Sequence, residues 1–158
     1  MKFNINRVLN RLFSKQNENK VKVTGEVAIK VFKNDALIDT FHDKNIVVNQ
    51  GFEFICQLLG GGSSDSITDI GFGTSNAPAV PTNVALTAQF DKPLDAISYP
   101  AYNSVQFAFS LGLSENNGVT IEEIGLLNTS GDLFSRRLYT IVKDNTVRVE
   151  GTWTISIS

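Results

Sequence analysis

The sequence predicts a mainly β protein: an antiparallel β-sandwich with one short internal helix and an amphipathic helix at its N-terminus. Three features predict it. Apolar residues alternate with polar ones along several stretches, most regularly Val105–Leu113 and Val147–Ile157. Short runs rich in Asn, Asp and Gly separate those stretches and bend the backbone. Helical spacing of apolar residues is confined to two brief segments. At 158 residues, 42% hydrophobic and 19% charged, the chain can bury the core of one domain and is not a disordered polymer.

The elements follow in order. Ile5, Val8, Leu9, Leu12 and Phe13 form one helical stripe, with Arg7, Arg11 and Lys15 off it. Ser14–Lys20 is polar throughout and reads as a linker, so residues 1–20 form a docking segment and residues 21–158 the β-sandwich domain. A helix this short is marginal alone and needs a surface for its stripe, either its own domain or another protein, and the polar linker favours the latter. Period-two alternation from Val21, a turn at Lys33–Ala36 and a return through Leu37–Phe41 predict a hairpin over residues 21–45. Asn49 is expected to cap a short helix, with Glu53 near its positive end. Phe52, Ile55, Cys56 and Leu59 form its expected buried face, Cys56 serving as a small hydrophobe. Gly60-Gly61-Gly62 stops it.

Ile67–Gly73 reads as a strand and Ser75–Thr82 as a Pro-punctuated loop. In Asp91–Tyr102, Pro93 and Pro100 imply an edge or an irregular path. Val105, Phe107, Phe109, Leu111 and Leu113 then alternate, and Glu115–Gly118 turns the chain. Ile121–Leu127, Leu133–Val142 and Val147–Ile157 complete the strands.

Charge and chemistry narrow the function. Residues 1–20 hold five positive side chains and one negative, whereas the remainder holds nine and 15, a basic leader on an acidic body. One cysteine excludes an intrachain disulfide framework and a multi-cysteine zinc site, and one histidine argues against triad or His-rich metal chemistry. No apolar run reaches the roughly 18 residues of a membrane-spanning helix, and residues 1–20 lack the apolar centre of a secretory signal. Gly71-Phe72-Gly73-Thr74 has neither the lysine nor the helix of a phosphate loop, and its glycines suit a strand that bends beside another chain. Glu122 and Glu123 are adjacent on a strand, point to opposite faces and cannot act as a carboxylate pair.

Arg136 and Arg137 fall roughly opposite Glu123 and Ile124, which predicts a structural cross-strand Glu–Arg ion pair. Exposed, such a pair is worth about 0.2–1 kcal/mol, and buried it fixes register. Asp65 and Asp69 lack the spacing of a calcium loop, and His42 reads as a surface histidine. Arg136-Arg137 is too small a patch for nucleic acid. The expectation is a non-enzyme with no catalytic, cofactor or metal residues, and with neither a nucleic-acid nor a membrane partner.

The order of segments carries a resemblance. Asn45-Ile46-Val47-Val48-Asn49-Gln50-Gly51 leads into a helix ending Leu58-Leu59-Gly60-Gly61, followed by Ile67-Thr68-Asp69-Ile70-Gly71-Phe72-Gly73-Thr74. After the Pro loop come Ala85-Leu86, Ile121-Glu122-Glu123-Ile124-Gly125-Leu126, Gly131-Asp132-Leu133-Phe134-Ser135-Arg136 and Trp153-Thr154-Ile155. From Asn45 to Ser158 this resembles small structural proteins and domains encoded with tail-fibre and baseplate genes of tailed bacteriophages. Related chains often carry Asp-Thr-Ala-Leu after the Pro loop, and Asn83-Val84-Ala85-Leu86 departs from it, which leaves that loop's contacts open.

The resemblance implies a virion component without catalysis, assembled in the host cytoplasm among other virion proteins as a homo-oligomer, a trimer being favoured. Residues 1–20 then dock in a groove of a larger assembly, with Ile5, Val8, Leu9, Leu12 and Phe13 as anchors and Arg7 and Arg11 facing acidic groups. Two alternatives stay open: a head-fibre or decoration protein of the capsid, and a carbohydrate-binding module. The latter needs exposed aromatics, for which Tyr99, Tyr102 and Tyr139 are candidates. Tyr99 and Tyr102 flank Pro100 in an expected loop that suits a host surface glycan.

Overall fold

The computed structural model describes residues 20–158. The helix expected over Ile5–Phe13, with its docking residues Ile5, Arg7, Val8, Leu9, Arg11, Leu12 and Phe13, lies outside them. In chain order the elements are β1 (Val23–Lys33), β2 (Ala36–Lys44), β3 (Ile46–Val47), α1 (Asn49–Gly60), β4 (Ile67–Gly73), β5 (Phe90–Pro93), β6 (Ala96–Ala101), β7 (Ser104–Leu111), β8 (Val119–Asn128), β9 (Leu133–Lys143) and β10 (Val147–Ile157). They form two five-stranded antiparallel sheets, ordered β2-β1-β10-β7-β6 and β3-β9-β8-β4-β5.

Alternation explains the core. Val27, Ile29 and Val31 of β1, Phe107, Phe109 and Leu111 of β7, and Val149, Trp153 and Ile155 of β10 project from the first sheet. Ile70 and Phe72 of β4, Ile121, Ile124 and Leu126 of β8, and Ile141 of β9 meet them from the second. Phe72 and Phe109 join the sheets edge-on, with ring centroids 6.4 Å apart. Asn34 and Asp35 take positive φ angles of 48° and 63° in the expected hairpin turn.

The predicted edge path over Asp91–Tyr102 resolves into two edge strands in different sheets. Pro93 ends β5, and the β6–β7 register shifts between Ser98 and Ala101, across Pro100. Strand β7 stops at Leu111, and Leu113, expected to continue its buried face, is exposed.

Helix α1 corrects two expectations. Val48, not Asn49, precedes the first turn, and no side chain caps it. Backbone ties take that role: Val48 N–H donates to Phe134 O at 3.1 Å and Asn49 N–H to Pro81 O at 2.8 Å. The inward side carries Gly51, Phe54 and Ile55, whereas Phe52 and Cys56 are exposed and Leu59 is 84% exposed. Gly51 sets this rotation, because a Cβ there would stand 2.3 Å from the Phe134 carbonyl oxygen. Phe54 then meets Phe134 edge-on at 6.1 Å. Glu53 lies beyond the first turn and accepts a hydrogen bond from Gln57. The glycine stop behaves as expected: Gly61 is left-handed and Gly62 N–H returns to Gln57 O at 2.8 Å.

Two glycines of α1 therefore respond oppositely to alanine. Gly51→Ala forces β9 or the helix to move and lowers stability by about 1–3 kcal/mol. At Gly60 a methyl group would meet nothing within 4 Å, so alanine there gains about 0.4–1 kcal/mol through a stiffer unfolded chain. Urea denaturation of both variants checks the signs.

Candidate interaction surface

The β8–β9 hairpin carries the predicted ion pair in an altered geometry. Glu123 stands opposite Leu138, Ile124 opposite Arg137 and Gly125 opposite Arg136, with register shifts on either side. Glu123 therefore meets Arg136 diagonally, and Arg137 is not part of the pair. Alternation turns Arg137 to the other face, where it pairs with Asp43 of β2 and lies over the Phe41 ring, 5.5 Å from its centroid. The Glu123 and Arg136 side chains are 1% and 2% exposed.

Every nitrogen and oxygen of the two charged groups has a partner. Glu123 Oε2 accepts from Arg136 Nε at 2.5 Å, and Oε1 accepts from Thr87 N–H at 2.7 Å and Ser75 N–H at 3.2 Å. Arg136 Nη1 donates to Asn83 Oδ1 at 2.9 Å and Pro78 O at 3.2 Å, and Nη2 to Ala77 O at 3.0 Å. The pair thus pins the segment between β4 and β5 over the outer face of the second sheet. Gly73 makes room, since a Cβ there would come within 2.5 Å of Glu123 Oε1. In the divergent stretch, Asn83 also accepts from Val80 N–H at 2.8 Å. Leu86 joins Val48, Leu127 and Leu133 in a second apolar cluster. Gly71 likewise makes room for Leu86 of the loop, where a Cβ would come within 2.8 Å of its Cδ1.

The tyrosines separate. Tyr99 sits on strand β6, not in a loop, and is 78% exposed, while Tyr102 is fully exposed beside it. Tyr139 is half-buried: its hydroxyl donates to Asp39 at 2.5 Å and its ring stacks on Phe41 at 4.5 Å. Burial, then the Asp39 carboxylate, push that hydroxyl's pKa well up. Tyr139 is therefore a brace between β2 and β9 and not a free sugar platform. His42 is exposed, with Nε2 3.5 Å from Glu26 Oε2. Asp65 accepts from Ser130 and Asp69 from Thr68, and no three His, Cys, Asp or Glu side chains cluster among the described residues.

Sequence reasoning misses two features. A groove of about 760 Å³ crosses the outer face of the first sheet. Ala28, Ala108 and Thr152 lie along it, with Lys30, Glu150 and Asp95 beside them. Its signal is alanine at polar positions of the alternation. The second is Lys143, which is buried and donates to Asn117 Oδ1 at 2.7 Å and Asp144 O at 2.9 Å. Burial lowers its pKa. Nearby, Glu115 accepts from Gly112 N–H at 2.6 Å and Lys92 Nζ at 2.9 Å, which together hold its carboxyl below the usual range.

Arg136→Met leaves a buried carboxylate unpaired and costs about 3–5 kcal/mol. Pairing it with Glu123→Leu costs less than the two single losses together, a coupling that a double-mutant denaturation cycle measures. Glu115 gives a pH test. Its depressed pKa means that its stabilisation is complete above the unfolded value of 4.5 and is lost as pH falls through the lower folded value. Glu115→Gln accordingly flattens the acid limb of the thermal-stability profile.

No protein-family profile, curated protein or solved structure matches this chain.

Proposed function

We propose that this chain is a non-enzymatic structural subunit of a tailed-bacteriophage particle, a β-sandwich associated with the tail fibre or baseplate and docked by residues 1–20. One observation carries the reading. The two most specific sequence blocks, Glu123-Ile124-Gly125-Leu126 and Gly131–Arg136, form a single hairpin, and its ion pair secures the chain's own covering loop. Motif residues placed to hold shape suit a building block, whereas a catalytic motif belongs where substrate reaches it. The basic leader supports docking on an acidic groove, with Arg7 and Arg11 beside the stripe of Ile5, Val8, Leu9, Leu12 and Phe13. Homo-oligomerisation, as a trimer, belongs to the same reading, and a head-fibre or decoration position on the capsid would use the same anchor.

A second reading, a glycan-binding module, is favoured by one feature: the exposed Tyr99 and Tyr102 at one sheet edge, whose rings are free to stack on a sugar. Within a particle the same pair would serve contact with a host surface glycan.

The test is incorporation into particles. Leu9→Asp with Leu12→Asp leaves the melting temperature of the β domain unchanged and abolishes recovery of the chain in purified virions. Retained incorporation refutes the docking segment, and absence of the native chain from virions refutes the structural role itself.

A further inference from the structure

The two edges of the β2-β1-β10-β7-β6 sheet are defended unequally. Strand β2 carries Asp39, Asp43 and Lys44, charges that discourage a further strand. Strand β6, Ala96-Ile97-Ser98-Tyr99-Pro100-Ala101, carries none, and each of its residues is exposed. Its one neighbour is β7, so alternate backbone N–H and C=O groups point away from the sheet. Pro100 and the shift around it limit the free ladder to Ala96–Tyr99.

The side chains on this edge are equally unfinished. Ile97 stands opposite Phe107, a core residue, so it lies on the core-facing side, and Tyr99 follows two residues on, where the register shifts. Ile97 is 46% and Tyr99 78% exposed. Two large apolar side chains are thus left uncovered on this edge strand.

We propose that β6 is a self-pairing edge: a second copy of this chain adds its own β6 antiparallel, across a two-fold axis at Ser98. In that register Ile97 faces the partner's Tyr99, and Tyr99 faces the partner's Ile97. Aromatic against β-branched is a favourable cross-strand pair, and it occurs twice by symmetry. Ser98 faces the partner's Ser98, and Ala96 the partner's Pro100, which ends the ladder. A charge near a two-fold axis meets its own copy, so an uncharged strand suits this occupant. A basic or acidic strand from another protein would find no complementary charge on it. The contact goes beyond the particle role and is distinct from the three-fold contact of a trimer, with which it would combine only in a hexamer, so it stands or falls independently of that role.

The experiment uses the full chain with Cys56→Ser, so that no native thiol interferes. Mild oxidation of the Ser98→Cys variant should give a disulfide-linked dimer, because residues opposed in an antiparallel pair have Cβ atoms about 4.5–5.5 Å apart. Thr120→Cys, exposed on β8, serves as the control and should not cross-link. Light scattering across a concentration series gives the second readout. The I97K/Y99K variant sets like charges across the register and should weaken the dimer about tenfold or more. The I97K/Y99E variant sets opposite charges there and should restore it. Absence of the Ser98→Cys cross-link overturns the proposal, as does equal behaviour of the two charge variants. So does a wild-type chain that stays monomeric at every concentration, which would leave the edge to a strand of another protein.

Discussion

The arrangement of the second sheet depends on one interaction, the Glu123–Arg136 pair sealed beneath the loop between β4 and β5. Removing two opposite charges from water is expensive, and their attraction offsets the cost only when every remaining lone pair and proton finds a partner. Here three donors converge on the carboxylate, and the guanidinium reaches two loop carbonyls and the Asn83 amide. The loop needs the pair as much as the pair needs the loop. Its backbone has no strand ladder of its own, and Glu123 and Arg136 supply the hydrogen bonds that a neighbouring strand would. From this anchor the rest follows outward. Leu86 is delivered to the Val48–Leu127–Leu133 cluster, and Pro81 O receives the first N–H of α1. Gly51 then brings the helix against β9.

The two sheets consequently differ in what they offer other molecules. The second is covered on its outer face by the loop and the helix, so β8 reads as an almost unbroken buried run from Glu123 to Asn128. The first keeps its outer face open, floored by small residues, with a broad groove and an uncharged edge at β6. One side of the molecule is devoted to holding shape, and the other is available for contact. The edge and the groove of the first sheet are its exposed surfaces.

Much of this is legible in the sequence because it rests on alternation. Strands such as β1, β7 and β10 bury one face, so their period of two locates them and assigns their core residues. The proline-marked stretch from Asp91 onward is recognisable as edge structure for the same local reason. What escapes is decided by packing at a distance. Glu122-Glu123 and Arg136-Arg137 look alike as doublets, and only the covering loop selects Glu123 and Arg136 for burial. Meanwhile Glu122 takes a bond from Thr140, and Arg137 reaches Asp43. Patterning misplaces the rotation of the helix for a related reason: its closest face is marked by a glycine, which hydrophobic periodicity does not count. Periodicity therefore turns Cys56 and Leu59 inward, whereas both are exposed.

The central claim is that a buried ion pair fastens a largely exposed loop to the second sheet, so that the loop opens only with that sheet. Native-state hydrogen exchange at the Ser75 and Thr87 amides tests it most directly, because both donate to the same Glu123 oxygen. The account predicts that these two amides are protected as strongly as the paired amides of β8 and β9, and open only with them. Exchange at the rate of an open loop, while β8 and β9 remain protected, would contradict it.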